Sequence, residues 1–409
     1  VSAAPTSGLV ARTVAADPDL GGPTGPDVVA FRSPRRELWG AGEALRIELP
    51  APWPDHVERV GEVLASIESR DEVGTPGSGP VAFGALPFDR DAAATLVVPA
   101  VLHGRSAEGT RWRTTVTVDG AEPPHDVAAG AGGPSTPHEV RVRSVRPAAE
   151  WTDAVRTATE RIRSGELTKV VLARELRLDS DVPIDAGQLL ARLRAMYPAA
   201  LAFAVDGFVG ASPELLVSRV GDVVRAHPMA GTTPCTGEPE ADQRRAAELL
   251  ASDKNRIEHQ ITIDMVHDTL LSWCSFLDAE PTPSVVPAGP VQHLASVVEG
   301  RLSRPAPPVL DLVAALHPTP AVGGWPRAEA LAVIDQLEPD DRGRYAGPVG
   351  WTDAAGNGAW AVGIRSVQLD GTEARLFAGV GVVADSDPMA ELEETRAKAQ
   401  ALLGTLVRL

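Results

Sequence analysis

Several charged side chains sit in segments whose neighbours are apolar, and acid–base chemistry would start there. Lys169 lies inside TKVVLAR, within an apolar strand-like run. A lysine so placed either snorkels to the strand edge or is desolvated, its pKa lowered until it can serve as a base. Glu214, in FVGASPELLVSR, follows Pro213 at the start of another apolar strand. Burial would raise its pKa and suit it to general-acid work, unless it is a satisfied structural charge. Arg365 occupies VGIRSV, whose small and apolar residues imply a buried strand. A buried guanidinium needs an anion, either a protein carboxylate or a substrate carboxylate held by its fork. In RLFAGVGVVAD, Gly379 and Gly381 alternate. Glycine inside a strand marks either close approach of a ligand to the backbone or a bulge.

Two helical segments carry carboxylates. In PMAELEETRAKAQALL, Glu391, Glu394 and Lys398 share one face, while Leu392, Ala399, Leu402 and Leu403 can face a core. That face is either solvated, with a stabilising Glu-to-Lys pair, or part of a site. In SDKNRIEHQITIDMVHDTLLSW, Glu258 stands beside the apolar stripe of Ile257, Ile261 and Met265. Acidic groups on two distant helices could converge on a hard cation, and magnesium is often held by one or two carboxylates plus a substrate anion. His259 and His267 are eight apart, so zinc is not indicated, and His293 and His317 read as loop or packing residues. The chain has three lysines, Lys169, Lys254 and Lys398, against thirty-five arginines. Lysine can lose its proton on burial and arginine cannot, which singles these three out.

The elements that must position these groups are α+β in pattern. Up to about residue 145 the chain is rich in Gly, Pro and Ala, with short apolar stretches (ALRIELP, VAFGALPF, TLVVPAVL) suggesting an irregular sheet layer, and an exposed loop over 121–137. From 148, Trp151, Val155, Ala158 and Ile162 predict a helix stopped near Gly165. KVVLAREL predicts a strand, 186–196 a helix, and 201–231 successive strands. A helical region over 239–275 is expected to break near Ser252 or Asp253, either of which could cap its second part. A helix over 326–337 begins with Pro326, strands follow at 359–369 and 373–384, and the last helix opens at Asp387-Pro388. Without a βαβ rhythm, this favours one large α+β domain over a doubly wound sheet.

Composition narrows the function classes. A formal net charge of −17 argues against nucleic acid or anionic membrane as partner. It also means that an anionic substrate would depend on local cations or a metal. No apolar run has the length of a membrane span, and the N-terminal stretch lacks a signal peptide's basic start and apolar core. Two scattered cysteines, Cys235 and Cys274, fit a reducing cytosol, so a cytoplasmic protein is expected.

From 148 onward, KVVLAR, GASPELLV, MAGTT, the EH of NRIEHQ, LHPTPAVGGWP, YAGPVGW, the IR of VGIRSV, FAGVGVV and ELEETRAK follow one another. In that order they resemble the chorismate-utilising enzymes: isochorismate synthases, salicylate synthases, and the synthase subunits that make anthranilate and aminodeoxychorismate. The resemblance implies a single large α+β domain of mixed or antiparallel sheets with helices outside. Residues 1–147 would be its variable N-terminal portion and 148–409 its chorismate-binding catalytic portion.

It also implies roles. Lys169 resembles the base that activates water, and Glu214 the acid that protonates the departing hydroxyl. Glu258 and Glu394 match ligands of Mg2+, with Glu391 beside the metal, directly or through water. Arg365 and Tyr345 match holders of the substrate carboxylates, assisted by backbone around Gly379 and Gly381. Lys398 matches a lysine near the metal and ring carboxylate, and Thr232 lies in the family's pocket-lining turn. Lys254 is left without a role. A lysine at 169, where ammonia-using members carry glutamine, implies water as nucleophile and no glutaminase subunit. The expected protein is thus a monomeric, magnesium-dependent isochorismate synthase acting on chorismate, of the kind that serves menaquinone or siderophore biosynthesis. Salicylate synthase is the alternative. LHPTPAVGGWP favours the former, as does Asn255, which stands where salicylate synthases carry an acidic residue. An ammonia-dependent synthase and a non-catalytic binding homologue are the remaining readings.

Overall fold

KVVLAREL opens a twelve-residue strand, Lys169–Ser180, that runs antiparallel to Glu373–Val382 from Val170 opposite Val382 to Asp179 opposite Glu373. Its near-continuous burial is what an unalternating apolar run predicts for a strand covered on both faces. The computed structural model describes residues 8–16, 27–119, 121, 137, 139–289 and 291–407. Among these, twenty strands join through backbone pairing into one continuous sheet, and Met229–Pro234, Ser284–Ala288 and Val291–Ala295 form a separate small one. Pairing is antiparallel except for Leu9–Ala15 beside Glu68–Asp71. The fold is α+β, as expected.

The early and late parts of the chain share sheets. Val29–Ser33 pairs with Leu201–Val205, and Val81–Ala85 pairs with Pro348–Asp353. The apolar stretches ALRIELP, VAFGALPF and TLVVPAVL lie largely in the strands Arg36–Leu49, Val81–Ala85 and Ala94–Ser106. The loop expected over 121–137 falls almost wholly outside the described residues.

Helices form where caps and apolar spacing place them. Trp151, Val155, Ala158 and Ile162 are buried along one face of Ala148–Arg163. The long helical region divides into Pro239–Ala251 and Asp253–Leu271, and the Ser252 side chain accepts from the Asn255 backbone N–H to cap the second. That helix ends at Leu271, and Cys274–Ala279 is a strand, so the expected helical stretch to 275 is too long. Asp387 Oδ1 accepts from Met389 and Ala390 N–H at the start of Pro388–Val407. Leu402 and Leu406 of this helix pack with Leu189 and Leu193 of Ala186–Met196, fixing the outer helices to the sheet. Burying each such side chain contributes about 1.5–3 kcal/mol.

A second expectation needs correcting. Residues 359–369 are not one strand but two, Gly358–Val362 and Ser366–Asp370. The break falls at Arg365, whose φ of 52° is left-handed and incompatible with a continuing strand.

Candidate active site

Ten of the eleven residues given a role at the site from the sequence line one cavity: Lys169, Glu214, Thr232, Glu258, Tyr345, Arg365, Gly379, Gly381, Glu394 and Lys398. Lys169, the first residue of its strand, is 2 % exposed, and its Nζ lies 2.6 Å from Glu258 Oε1 on the Asp253–Leu271 helix. The glycines explain how that pair fits. A Cβ on Gly381 would stand 2.9 Å from Lys169 Cε and 3.2 Å from Glu258 Oε1. A Cβ on Gly379 would stand 3.0 Å from Tyr345 Oη and 3.3 Å from Val171 Cγ1. Pairing runs without a register shift through both positions, so they are sites of close approach and not a bulge.

Glu214 immediately precedes the strand Leu215–Val220 and is 3 % exposed. Burial pushes its carboxyl up to about 8, although the Met229 backbone N–H and the charge of Lys169 pull the other way. Near neutral pH it is therefore protonated and able to donate. Glu258 has the opposite balance. Burial pushes it up, but the ammonium groups of Lys169, Lys254 and Lys398 hold it below the ordinary carboxylate value. Lys254, left without a role by its sequence context, thus adds its charge to the same carboxylate.

Glu394 lies 2.6 Å from Lys398 Nζ on the Pro388–Val407 helix, and Lys398 also donates to the Gly379 carbonyl at 2.9 Å. The Glu-to-Lys pair on this helix is real, and both its members line the cavity. Glu391 does not line the cavity; it accepts from Ser386 Oγ at 2.7 Å. Burial raises its carboxyl, helped by the charge of Glu394 and opposed by the Ser386 bond, Lys254 and Lys398. Among the described residues no three acidic, His or Cys side chains gather closely enough to form a ready cation cage. Even so, the donor set suits magnesium. Glu258 and Glu394 offer only oxygen, face one cavity, and each already carries a cationic group at 2.6 Å. Two carboxylates completed by water and a substrate anion are what magnesium accepts, and the flexible lysine stems can yield the place.

The far wall is built to hold an anion. Arg365 makes no salt bridge among the described residues, and its buried Nε has no hydrogen-bond partner. Burial draws its guanidinium below the ordinary value, opposed by Tyr345, Glu394 and Tyr197. Its Nη2 reaches His293 Nε2 at 3.5 Å. Guanidinium can only donate, so His293 must accept there and carry its proton on Nδ1, which faces the Gly231 carbonyl at 3.2 Å and Thr232 Oγ1 at 3.1 Å. Burial, then Arg365 and Lys398, push His293 down to about 3, so it stays neutral. Arg365 thereby gains a partner without losing its charge. Tyr345 stacks on Phe377 at 5.2 Å, and burial pushes its phenol up. His293 was read from the sequence as a loop or packing residue; nothing in its local spacing signals its contact with Arg365, 72 residues away.

A buried proton donor, a buried amine and an unneutralised arginine around one small cavity define an enzyme acting on a compact acid. Residues 30–407 match the family described as chorismate binding enzyme, and the chain belongs to that family. The match begins well before 148, where the sequence motifs start. Isochorismate synthase DhbC of Bacillus subtilis (strain 168) is 37 % identical over 390 residues, covering 92 % of this chain and 93 % of its own. Isochorismate synthase EntC of Escherichia coli (strain K12) is 32 % identical over 388 residues, covering 92 % and 94 %. The solved structure of MenF, the menaquinone-specific isochorismate synthase from Escherichia coli, resembles this one with a TM-score of 0.81 at 25 % identity, over 98 % of this chain and 95 % of that one.

Proposed function

We propose that the protein is an isochorismate synthase, an isomerase that moves the hydroxyl of chorismate from ring carbon 4 to carbon 2 with magnesium as cofactor. The observation that carries this reading is the pairing of Lys169 with a protonated, buried Glu214 in one cavity. Arg365 and Tyr345 hold one substrate carboxylate and Lys398 stands near the other, orienting the ring between amine and acid. Glu258 and Glu394, with Glu391 beside them, would hold magnesium, which would supply a positive centre for a substrate carboxylate. Lys169, released from Glu258 and deprotonated, takes a proton from water as that water attacks carbon 2. The ring double bonds shift, and the carbon 4 hydroxyl leaves as water with the proton of Glu214. One water enters and one leaves, so the product is an isomer. Proton return from Lys169 to Glu214 through solvent resets the pair.

Water as nucleophile needs no ammonia, and so no glutaminase subunit. The local cations also answer the net charge of −17, because Lys169, Lys398 and Arg365 all line the cavity that receives the anion. The test is product identification from chorismate with and without magnesium. Isochorismate formed only with the metal is expected. Salicylate with pyruvate would replace this reading with a salicylate synthase, and an aminated product on adding ammonium would replace it with an ammonia-dependent enzyme.

A further inference from the structure

The strand that carries Lys169 is incompletely paired. One edge is matched along its length by Glu373–Val382. On the other edge, Gly324–Trp325 pairs only with Val170 and Lys169, and Val140–Ser144 pairs only from Leu176 to Ser180. Between these two short partners, from Val171 to Glu175, no strand stands alongside. Backbone groups there are buried and must be satisfied. The Val171 N–H donates to the Gly323 carbonyl at 2.9 Å, the Val145 N–H donates to the Glu175 carbonyl at 3.2 Å, and Trp151 Nε1 donates to the Ala173 carbonyl at 3.3 Å. Two further side chains serve the Val171 carbonyl and the Ala173 N–H. Arg342 Nη2 donates to the Val171 carbonyl at 2.7 Å, and Glu338 Oε1 accepts from the Ala173 N–H at 2.7 Å. One donor and one acceptor, offered to alternate residues on one edge, reproduce what an antiparallel strand would present.

The two side chains also grip each other. Arg342 Nε donates to Glu338 Oε2 at 2.7 Å and Nη2 to Oε1 at 2.6 Å. Arg342 Nη1 donates to the Val322 carbonyl at 2.9 Å, and Val322 belongs to the cavity wall. The guanidinium lies over the Phe88 ring at 4.3 Å, and Arg342 is 3 % exposed. Its own carbonyl accepts from the N–H of Tyr345 at 3.1 Å. The fork therefore joins the Lys169 strand to the segment at Val322, and the backbone of Arg342 ties in the segment leading to Tyr345.

We propose that Glu338 and Arg342 are positioning residues for Lys169, acting as a side-chain substitute for the missing strand and holding the base in register with the opposite wall. This rests on Lys169 being the base. Lysine at 342 keeps the charge but cannot serve Glu338, Val171 and Val322 together. Glutamine at 338 keeps an oxygen for Ala173, whereas alanine keeps nothing.

The experiment measures kcat and KM for chorismate, with melting temperature, on Arg342→Lys, Glu338→Ala, Glu338→Gln and Lys169→Ala at saturating magnesium. Small displacements of a reacting group cost up to about a hundredfold in rate. Arg342→Lys and Glu338→Ala are expected to lose roughly ten- to a hundredfold in kcat with KM little changed. Glu338→Gln should recover most of that loss. Amide hydrogen exchange at Ala173, whose N–H donates to Glu338, should quicken in the impaired variants and not in Glu338→Gln. Wild-type kcat in a folded Arg342→Lys would overturn the proposal. So would a loss in Glu338→Gln equal to that in Glu338→Ala, or kcat losses that merely follow the folded fraction. Turnover retained in Lys169→Ala would instead remove the base assignment, and is read independently of the other three.

Discussion

Glu214 and Glu258 line the same cavity and both are desolvated, yet the protein keeps one protonated and the other ionised. Glu214 has a backbone N–H and the charge of Lys169 alone to oppose burial, and its carboxyl is pushed up to about 8. Glu258 is faced by Lys169 at 2.6 Å with Lys254 and Lys398 beyond, and is held low although burial pushes it up. Burial alone therefore does not set the protonation state; the count and nearness of cations does. All three lysines of the chain stand at the ionised end. A site that must give a proton at one place and attract a cation at another needs this division.

Removing Lys169 attacks the division most directly. Lys169→Ala is expected to lower turnover by roughly 10²–10⁴. It should also cost about 3 kcal/mol of stability by leaving Glu258 without its nearest partner, measurable in denaturant titrations. Glu214→Gln comes next, with a loss of about 10²–10³ in kcat and little change in chorismate binding.

The two ends should also separate by pH. The folded state holds the Glu214 proton up to about pH 8, far above the value of 4.5 for a free carboxyl. Stability linked to that proton is fully present below the free value and is lost as pH rises through about 8, by at most about 5 kcal/mol. Activity should fall through the same upper limit. Melting curves from pH 5 to 9 should show the decline in the wild type and a flatter profile in Glu214→Gln. An unchanged decline in that variant would remove Glu214 as the titrating group.

Gly381→Ala tests the ionised end by crowding instead of deletion. Its Cβ would meet Lys169 Cε at 2.9 Å and Glu258 Oε1 at 3.2 Å, and a loss of about tenfold in kcat is expected, read by steady-state assay. The smallest effect belongs to Ser252→Ala, which removes the cap of the helix bearing Glu258. It should cost about 1 kcal/mol of stability and leave kcat near wild type. A large kinetic loss there would mean that Glu258 is placed by its helix end more than by its ion pair.

Much of the helical framework was legible locally. Ser252 and Asp387 announced their helices through side chains that reach backbone N–H groups only two or three residues away. The Lys169 strand was legible from its unbroken apolar run. Arg365 misled, because a run of small and apolar residues reads as a continuous strand while its left-handed φ ends one. The site was legible as a set of residues and not as a circuit. Residue types and motif order named Lys169, Glu214, Glu258 and Glu394, because lysines are rare in this chain and the motifs are long.

What the amino-acid order determined by itself was the inventory: which faces are apolar, where helices begin, and which charged groups lie among apolar neighbours. These follow from short-range sterics and from periodicities of two and 3.6 residues. The tertiary structure alone decided that Lys169 meets Glu258, that His293 supports Arg365 without neutralising it, and that Glu338 and Arg342 stand in for a strand. Those partners are separated by 72 to 171 residues, and protonation depends on desolvation and charge at such contacts, neither of which has a counterpart in local spacing.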